Sequence, residues 1–199
     1  MSQIVLTSDV LGTTTAGALE YDGVALYATP TAEQRGVIMA EQIILLQAAY
    51  TLTSQTAAQK LFNTPAGGQV TLTAGTYEFE CAYSLTAMSA TSAAYGFALG
   101  GTATFTQFYT TIAKKDSGLS SPLSANITFN TAANTNISGS NTGTGGIANI
   151  SGIINVSASG TIIPQVSLGI AAAAIVGIGS YFRIRPIGNT TVTSVGNWS

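Results

Sequence analysis

The sequence predicts an all-β protein, a jelly-roll β-sandwich preceded by an extended N-terminal arm. Many short segments alternate apolar and polar residues, glycine-containing turns separate them, and few segments show a helical period. A length of 199 residues suits one such domain with an arm. We therefore divide the chain into residues 1–48, an arm with a small hairpin and a crossing segment, residues 49–187, the jelly-roll domain, and residues 188–199, a C-terminal tail.

The arm contains one hairpin signal and one ambiguous segment. Asp22-Gly23, within the β-prone residues 19–27, is typical of a tight turn because both residue types tolerate positive φ. A hairpin of this size is marginally stable alone, so we expect it to pack against another surface. Residues 31–47 are either a short helix, which Gly36 would weaken, or an irregular crossing segment.

The clearest strand follows a predicted turn at residues 73–76. From Tyr77 to Leu85 the residues alternate strictly, which predicts one face on the core and one face away from it. The core face carries Tyr77, Phe79, Cys81, Tyr83 and Leu85, and the other face carries Glu78, Glu80, Ala82 and Ser84. Further strands are predicted at residues 69–72, 95–99, 102–112, 127–129, 150–156, 161–168 and 179–186, with a loop over 130–146 and Pro186 ending the last strand.

The composition argues against catalytic and metal chemistry. The chain has no histidine, which removes the usual general base and the commonest metal ligand. Its single cysteine, Cys81, cannot form an intramolecular disulfide or a thiolate cluster, and its position on the core face predicts a small buried hydrophobe. We therefore predict no cofactor, no metal site and no enzymatic activity.

The chain carries few charges for a soluble protein. Charged residues make up 7% of it and hydrophobic residues 46%, whereas a typical soluble domain is about 25% charged. Either hydroxyl and amide side chains cover a stable monomer, or much of the surface is buried between subunits, which we favour. The basic residues do not cluster, which argues against nucleic-acid binding. Glycines interrupt the apolar residues 166–178, and residues 1–10 lack a signal-peptide pattern, so we expect no membrane span and no secretion signal.

Two pairs of charged residues share one spacing on different strands. Glu78 and Glu80 lie two residues apart, as do Arg183 and Arg185 on the last predicted strand. If those strands are neighbours, the pairs can form a cross-strand ladder of opposite charges. A glycosidase could use two such carboxylates, but the aromatic residues lie on the opposite face of the strand, so we prefer the ladder.

Several segments resemble bacteriophage virion and tail-fibre proteins. The resemblance rests on residues 15–30, 34–38, 70–80, 95–103 and 182–186, and covers most of the chain from about residue 15 to residue 187. It implies a trimeric jelly roll similar to the tumour-necrosis-factor fold. In that fold the strand of Glu78 and the last strand are neighbours, and their outward face lies toward the trimer axis.

The resemblance implies a homotrimer displayed on the virion surface. Because little sequence precedes the predicted domain, we expect a capsid decoration or cement protein whose arm binds the major capsid protein or another virion protein. The alternative is a short tail-fibre or fibre-tip module whose loops bind a host surface receptor. The predicted interface residues are Glu78, Glu80, Arg183 and Arg185 of the ladder, with arm contacts through Leu19, Tyr21, Leu26, Tyr27 and Arg35.

Overall fold

The protein, described here from a computed structural model, is built from β-strands. The structure describes residues 4–8, 11–13, 15–31, 34–38, 40–62, 68–116, 124–130, 134–136 and 143–189. The strands are β1 (Leu19–Tyr21), β2 (Leu26–Thr31), β3 (Gln34–Ile38), β4 (Gln42–Leu45), β5 (Tyr50–Thr51), β6 (Gln59–Lys60), β7 (Val70–Leu72), β8 (Gly75–Thr86), β9 (Tyr95–Gly101), β10 (Thr104–Asp116), β11 (Ser124–Asn130), β12 (Asn134–Asn136), β13 (Gly146–Ala158), β14 (Gly160–Leu168), β15 (Ile175–Val176) and β16 (Tyr181–Gly188). These ranges contain no helix, so the predicted all-β fold is confirmed.

The strands form three antiparallel sheets. The small N-terminal sheet has the order β1-β2-β3. The eight-stranded sheet runs β11-β10-β13-β8; beyond β8 it continues as β16 and β4, and, at the C-terminal end of β8, as β15 and β5. In the five-stranded sheet, β14 is central, with β9 and β12 on one side and β6 and β7 on the other. The two larger sheets enclose one hydrophobic core and so make a β-sandwich.

Strict alternation along the strands builds that core. On β8 the buried and half-buried residues alternate, and the buried set is the apolar face predicted from the sequence. The ring of Phe79 stacks on Phe97 of the opposite sheet, with centroids 6.3 Å apart, and on Phe108 at 5.9 Å, and it is tilted against Phe182 at 6.0 Å. Burying such a ring contributes about 1.5–3 kcal/mol. Cys81 is buried as predicted, and its burial raises the pKa of the thiol, which keeps it unreactive.

The hairpin predicted at Asp22-Gly23 joins β1 to β2. Its loop spans residues 22–25, four residues, so it is longer than a two-residue turn. The Asp22 carboxylate closes the loop by accepting hydrogen bonds from the backbone N–H groups of Val24, at 2.9 Å, and Ala25, at 2.8 Å. Gly23 supplies the positive φ, 93°, that the loop requires.

This loop also connects the N-terminal sheet to the sandwich. Val24 packs against the hydrophobic core, and a methyl group added at Gly75 would lie 2.8 Å from the Cγ1 atom of Val24. A larger residue at the start of β8 would therefore push the hairpin away. The hairpin thus packs against the sandwich, as expected for a hairpin too small to be stable alone.

The segment that the sequence left ambiguous forms strands. The described residues of 31–47 contain β3 and β4 and no helix, so neither the short helix nor the irregular crossing segment is found there. Their isoleucines favour strands, because β-branched side chains fit a pleated surface. β4 pairs with β16 at the edge of the eight-stranded sheet, although it falls within the predicted arm, residues 1–48.

Two smaller expectations are corrected. The predicted loop over residues 130–146 contains β12, which pairs with β9. The last strand does not end at Pro186 but continues to Gly188, and its register with β8 becomes irregular between these two residues. An irregular ladder tolerates a residue that has no N–H to donate. Residues 190–199, most of the predicted tail, lie outside the described residues.

Candidate functional site: two assembly surfaces

The cross-strand ladder is present on β8 and β16. Their register places Arg183 opposite Glu80 and Arg185 opposite Glu78. Arg185 donates to Glu78 Oε2 from Nε at 2.9 Å and from Nη2 at 2.6 Å. Arg183 donates to Glu80 Oε2 from the same two nitrogens, at 3.2 Å and 2.5 Å. These side chains point away from the core, on what we call the outer face of the eight-stranded sheet.

Glu80 has further partners on the outer face. The Tyr181 hydroxyl donates a hydrogen bond to Glu80 Oε1, and this contact, followed by the hydrogen bond from Arg183, lowers the pKa of the Glu80 carboxyl. The same hydrogen bond raises the pKa of the Tyr181 phenol. Glu41, just before β4, lies 3.9 Å from Arg183, measured between Oε2 and Nη1. The four residues of the ladder therefore form a six-membered polar network with Glu41 and Tyr181.

Sequence reasoning missed the two outer members of this network. Tyr181 stands two residues before Arg183 on one strand, so strand alternation alone could have placed it on the same face. Glu41 carried no such signal, because the segment that follows it was not recognised as a strand.

Exposed apolar side chains flank the ladder on both sides. On β4, Ile43 is 58% exposed and Leu45 is 49% exposed. On β13, Ile147 is 52% exposed and Ile153, which pairs in register with Glu78, is 41% exposed. Single exposed hydrophobic residues are normal on monomers, but a group around one network is typical of a surface that another protein covers.

A shallow depression lies on the outer face beside the ladder. Its volume is about 310 Å³, and its lining consists of Glu80, Thr111, Ala113, Asn149, Ile150, Ser151 and Tyr181. Such a depression has room for side chains from a partner. Among the described residues, no three acidic or cysteine side chains are grouped so that they could hold a metal ion. The part of the chain that is described also has no helix long and apolar enough to cross a membrane.

The N-terminal sheet has one covered face. Tyr27 lies on it, is 1% exposed and donates from its hydroxyl to Asp22 Oδ2 at 2.8 Å; burial, followed by this hydrogen bond, raises the pKa of the phenol. Arg35 donates from Nε to Glu20 Oε2 at 2.9 Å and from Nη2 to the carbonyl oxygen of Gly12 at 2.6 Å. Gly12, which precedes β1, therefore lies against this face.

The opposite face, which we call the open face of the N-terminal sheet, is apolar. Its large side chains are Leu19, Tyr21, Leu26 and Ile38, and the small residues Ala28 and Gly36 share the face. Leu19 is 52% exposed and Ile38 is 41% exposed. Three of the five arm residues predicted to contact a partner lie here. The other two, Tyr27 and Arg35, lie on the covered face, where Tyr27 donates to Asp22 and Arg35 pairs with Glu20.

No protein-family model matches the chain, and no curated protein matches its sequence. The loop predicted to bind a receptor in the fibre-tip alternative includes residues 131–133 and 137–142, which lie outside the described residues. The outer face and the open face are therefore the two candidate functional surfaces.

Proposed function

We propose that this chain is a bacteriophage virion structural protein, a homotrimeric capsid decoration or cement protein displayed on the particle surface. One observation carries the proposal: the outer face of the eight-stranded sheet exposes isoleucine and leucine around a network of paired charges. The chain has only 7% charged residues, so little else on its surface opposes association. The resemblance of the sequence to virion proteins supplies the biological setting.

The outer face suits contact between identical copies. Its apolar residues would supply the free energy of association, because they are already exposed in the single chain. The ladder would fix the register of the copies more than it would stabilise them, since burying paired charges costs desolvation energy. Both arginines already have partners within the chain, so a second copy could cover them without leaving them unpaired.

The N-terminal sheet would attach the trimer to the shell. Its open face presents Leu19 and Ile38, and the charged residues Glu20 and Arg35 are paired on the other face. An apolar surface on a small separate sheet can bind the major capsid protein while the outer face remains free for self-association.

The proposal gives Glu78 and Glu80 no catalytic role. Each carboxylate accepts two hydrogen bonds from an arginine, and Glu80 also accepts one from Tyr181. The pKa of Glu80 is lowered, which makes it a poor general acid. Replacing both residues with Gln should leave binding to particles in place, measured by co-sedimentation. Cleavage of host polysaccharide by the wild type and its loss in this variant would overturn this part of the proposal.

The attachment is tested by adding the purified chain to particles assembled without it. We expect the wild type to co-sediment with the particles and Leu19→Glu to lose most of this binding, since it places a charge on the open face. Ile170→Glu, at an exposed position just after β14 of the five-stranded sheet, serves as the matched control. Binding of the trimer to host cells instead of particles would contradict the cement role and support the fibre-tip alternative.

A further inference from the structure

β4 is an edge strand with one unpaired side. Among the described strands, it pairs with β16 alone. The N–H of Leu46 donates to the carbonyl oxygen of Ser180 at 2.8 Å, so the backbone groups of Leu46 face β16. Every second residue before it, Ile44 and Gln42, faces β16 as well. Because this direction alternates in an antiparallel pair, the N–H and C=O groups of Ile43 and Leu45 point away from β16.

Within the described residues, this edge lacks the usual protection against pairing. Natural edge strands are shielded by lysine, proline, a bulge or a covering segment. β4 has the sequence Gln42-Ile43-Ile44-Leu45, and its register with β16 is regular. The side chains of Ile43 and Leu45 are 58% and 49% exposed on the outer face. The edge is therefore ready to accept another strand.

A second segment of the chain is ready to supply that strand. Residues 4–8 are described, yet they belong to no strand and pair with no other described residue. Ile4 and Val5 are 88% and 74% exposed, and both are β-branched. The segment carries no charge, and its last residue, Ser8, lies beside Gly23 of the N-terminal sheet.

We propose that residues 4–8 of one copy add as a strand to the open edge of β4 in a second copy. The five residues match the four of β4 in length, and neither segment carries a charge that would oppose pairing. The added strand would satisfy the outward backbone groups of Ile43 and Leu45. Within the described part of the single chain this segment has no strand partner, so we assign the edge that it completes to a neighbouring copy. This inference depends on self-association in the proposed function but not on the virion setting.

Introduced cysteines test the pairing directly. Val5→Cys and Ile43→Cys are made on separate chains, mixed and oxidised; the native Cys81 is fully buried and does not interfere. A disulfide requires Cα atoms about 4.4–6.8 Å apart, so only adjacent strands will link. We expect a linked species of twice the chain mass on a non-reducing gel. The matched control, Thr71→Cys, is exposed on the five-stranded sheet and should not link to Val5→Cys.

Three outcomes overturn the inference. The first is no link between Val5→Cys and Ile43→Cys in a protein that is oligomeric by native mass. The second is a link within one chain only, when both substitutions are placed together and the product keeps the mass of one chain. The third is a link of Ile43→Cys to itself, which means that two β4 edges pair. A wild-type protein that stays monomeric contradicts the proposed function as well, and native mass measured in parallel separates these cases.

Discussion

The hydroxyl group of Tyr83 is buried in the core and makes no hydrogen bond with any described residue. A buried polar group without a partner costs about 1–3 kcal/mol. We therefore expect Tyr83→Phe to raise the free energy of unfolding by about 1 kcal/mol. Chemical denaturation followed by fluorescence measures the change. Tyr95→Phe is the control, because the Tyr95 hydroxyl donates to the carbonyl oxygen of Ile147 at 3.3 Å, and it should bring no gain. A less stable Tyr83→Phe variant would show that the hydroxyl has a partner.

Glu80 makes part of the stability depend on pH. The pKa of its carboxyl is lowered in the folded state, first by the hydrogen bond from Tyr181, relative to its usual value of 4.5. The interaction therefore stabilises the fold above that value, and its contribution disappears as the pH falls through the lowered folded pKa. Tyr181→Phe should reduce the free energy of unfolding near neutral pH and should match the wild type in acid. A difference between the two proteins that does not change with pH would contradict this assignment.

Single residues also show the limit of the sequence argument. Alternation predicted the face of Glu78 and Glu80, and Arg183 and Arg185 repeat their spacing. The resemblance to virion proteins implied that the two strands are neighbours, and the register of β8 with β16 confirms the ladder. Alternation says nothing about which hydroxyl or carboxylate reaches across from another element. The contact of Glu41 with Arg183 depends on the position of β4, which is set by tertiary packing.

At the scale of elements, the hairpin loop is held by one side chain. Asp22 accepts hydrogen bonds from Val24, Ala25 and the hydroxyl of Tyr27. Asp22→Ala should destabilise the N-terminal sheet by about 1–2 kcal/mol while the sandwich remains folded. Hydrogen exchange should show faster exchange for amides of β2 and unchanged protection for those of β8. Equal loss of protection in both strands would mean that the sheet and the sandwich unfold as one unit.

β13 depends on a glycine at the centre of the large sheet. A methyl group at Gly152 would lie 2.0 Å from the carbonyl oxygen of Tyr109 and 2.8 Å from Cε1 of Phe79. We expect Gly152→Ala to cost about 1–3 kcal/mol of unfolding free energy, because the strand or the ring must move. Gly36→Ala on β3 is the control, since the nearest atom there is 4.0 Å away. Equal midpoints for both variants in a denaturant titration would contradict the close packing at Gly152.

The sequence predicted long, regularly alternating strands well. It did not predict short strands that lack such a pattern. β8 is long and strictly alternating, so its existence and faces followed from the pattern. β12 has three residues in a segment without apolar period, and it forms because β9 offers a partner. β4 has four residues within an apolar segment, and its state depends on pairing with β16. Short strands like these are stabilised by tertiary pairing that local sequence does not encode.

In the whole molecule, the low charge and the position of the exposed apolar residues both favour a surface that is buried between subunits. Only 7% of the residues are charged. In the structure, exposed isoleucine and leucine side chains surround the ladder on the outer face. The N-terminal sheet gathers a second apolar surface. A protein with two such surfaces can bind copies of itself with one and a shell with the other, which is the arrangement that a cement protein needs.

If the outer face is buried between three copies, as we propose, the native mass of the protein will show it. We expect the wild type to have three times the mass of one chain. Ile153→Glu, which places a further carboxylate beside Glu78, should shift the protein to monomers. Thr71→Glu, on the five-stranded sheet, should remain a trimer. A wild type that stays monomeric at micromolar concentration, or an Ile153→Glu trimer as stable as the wild type, would contradict the account.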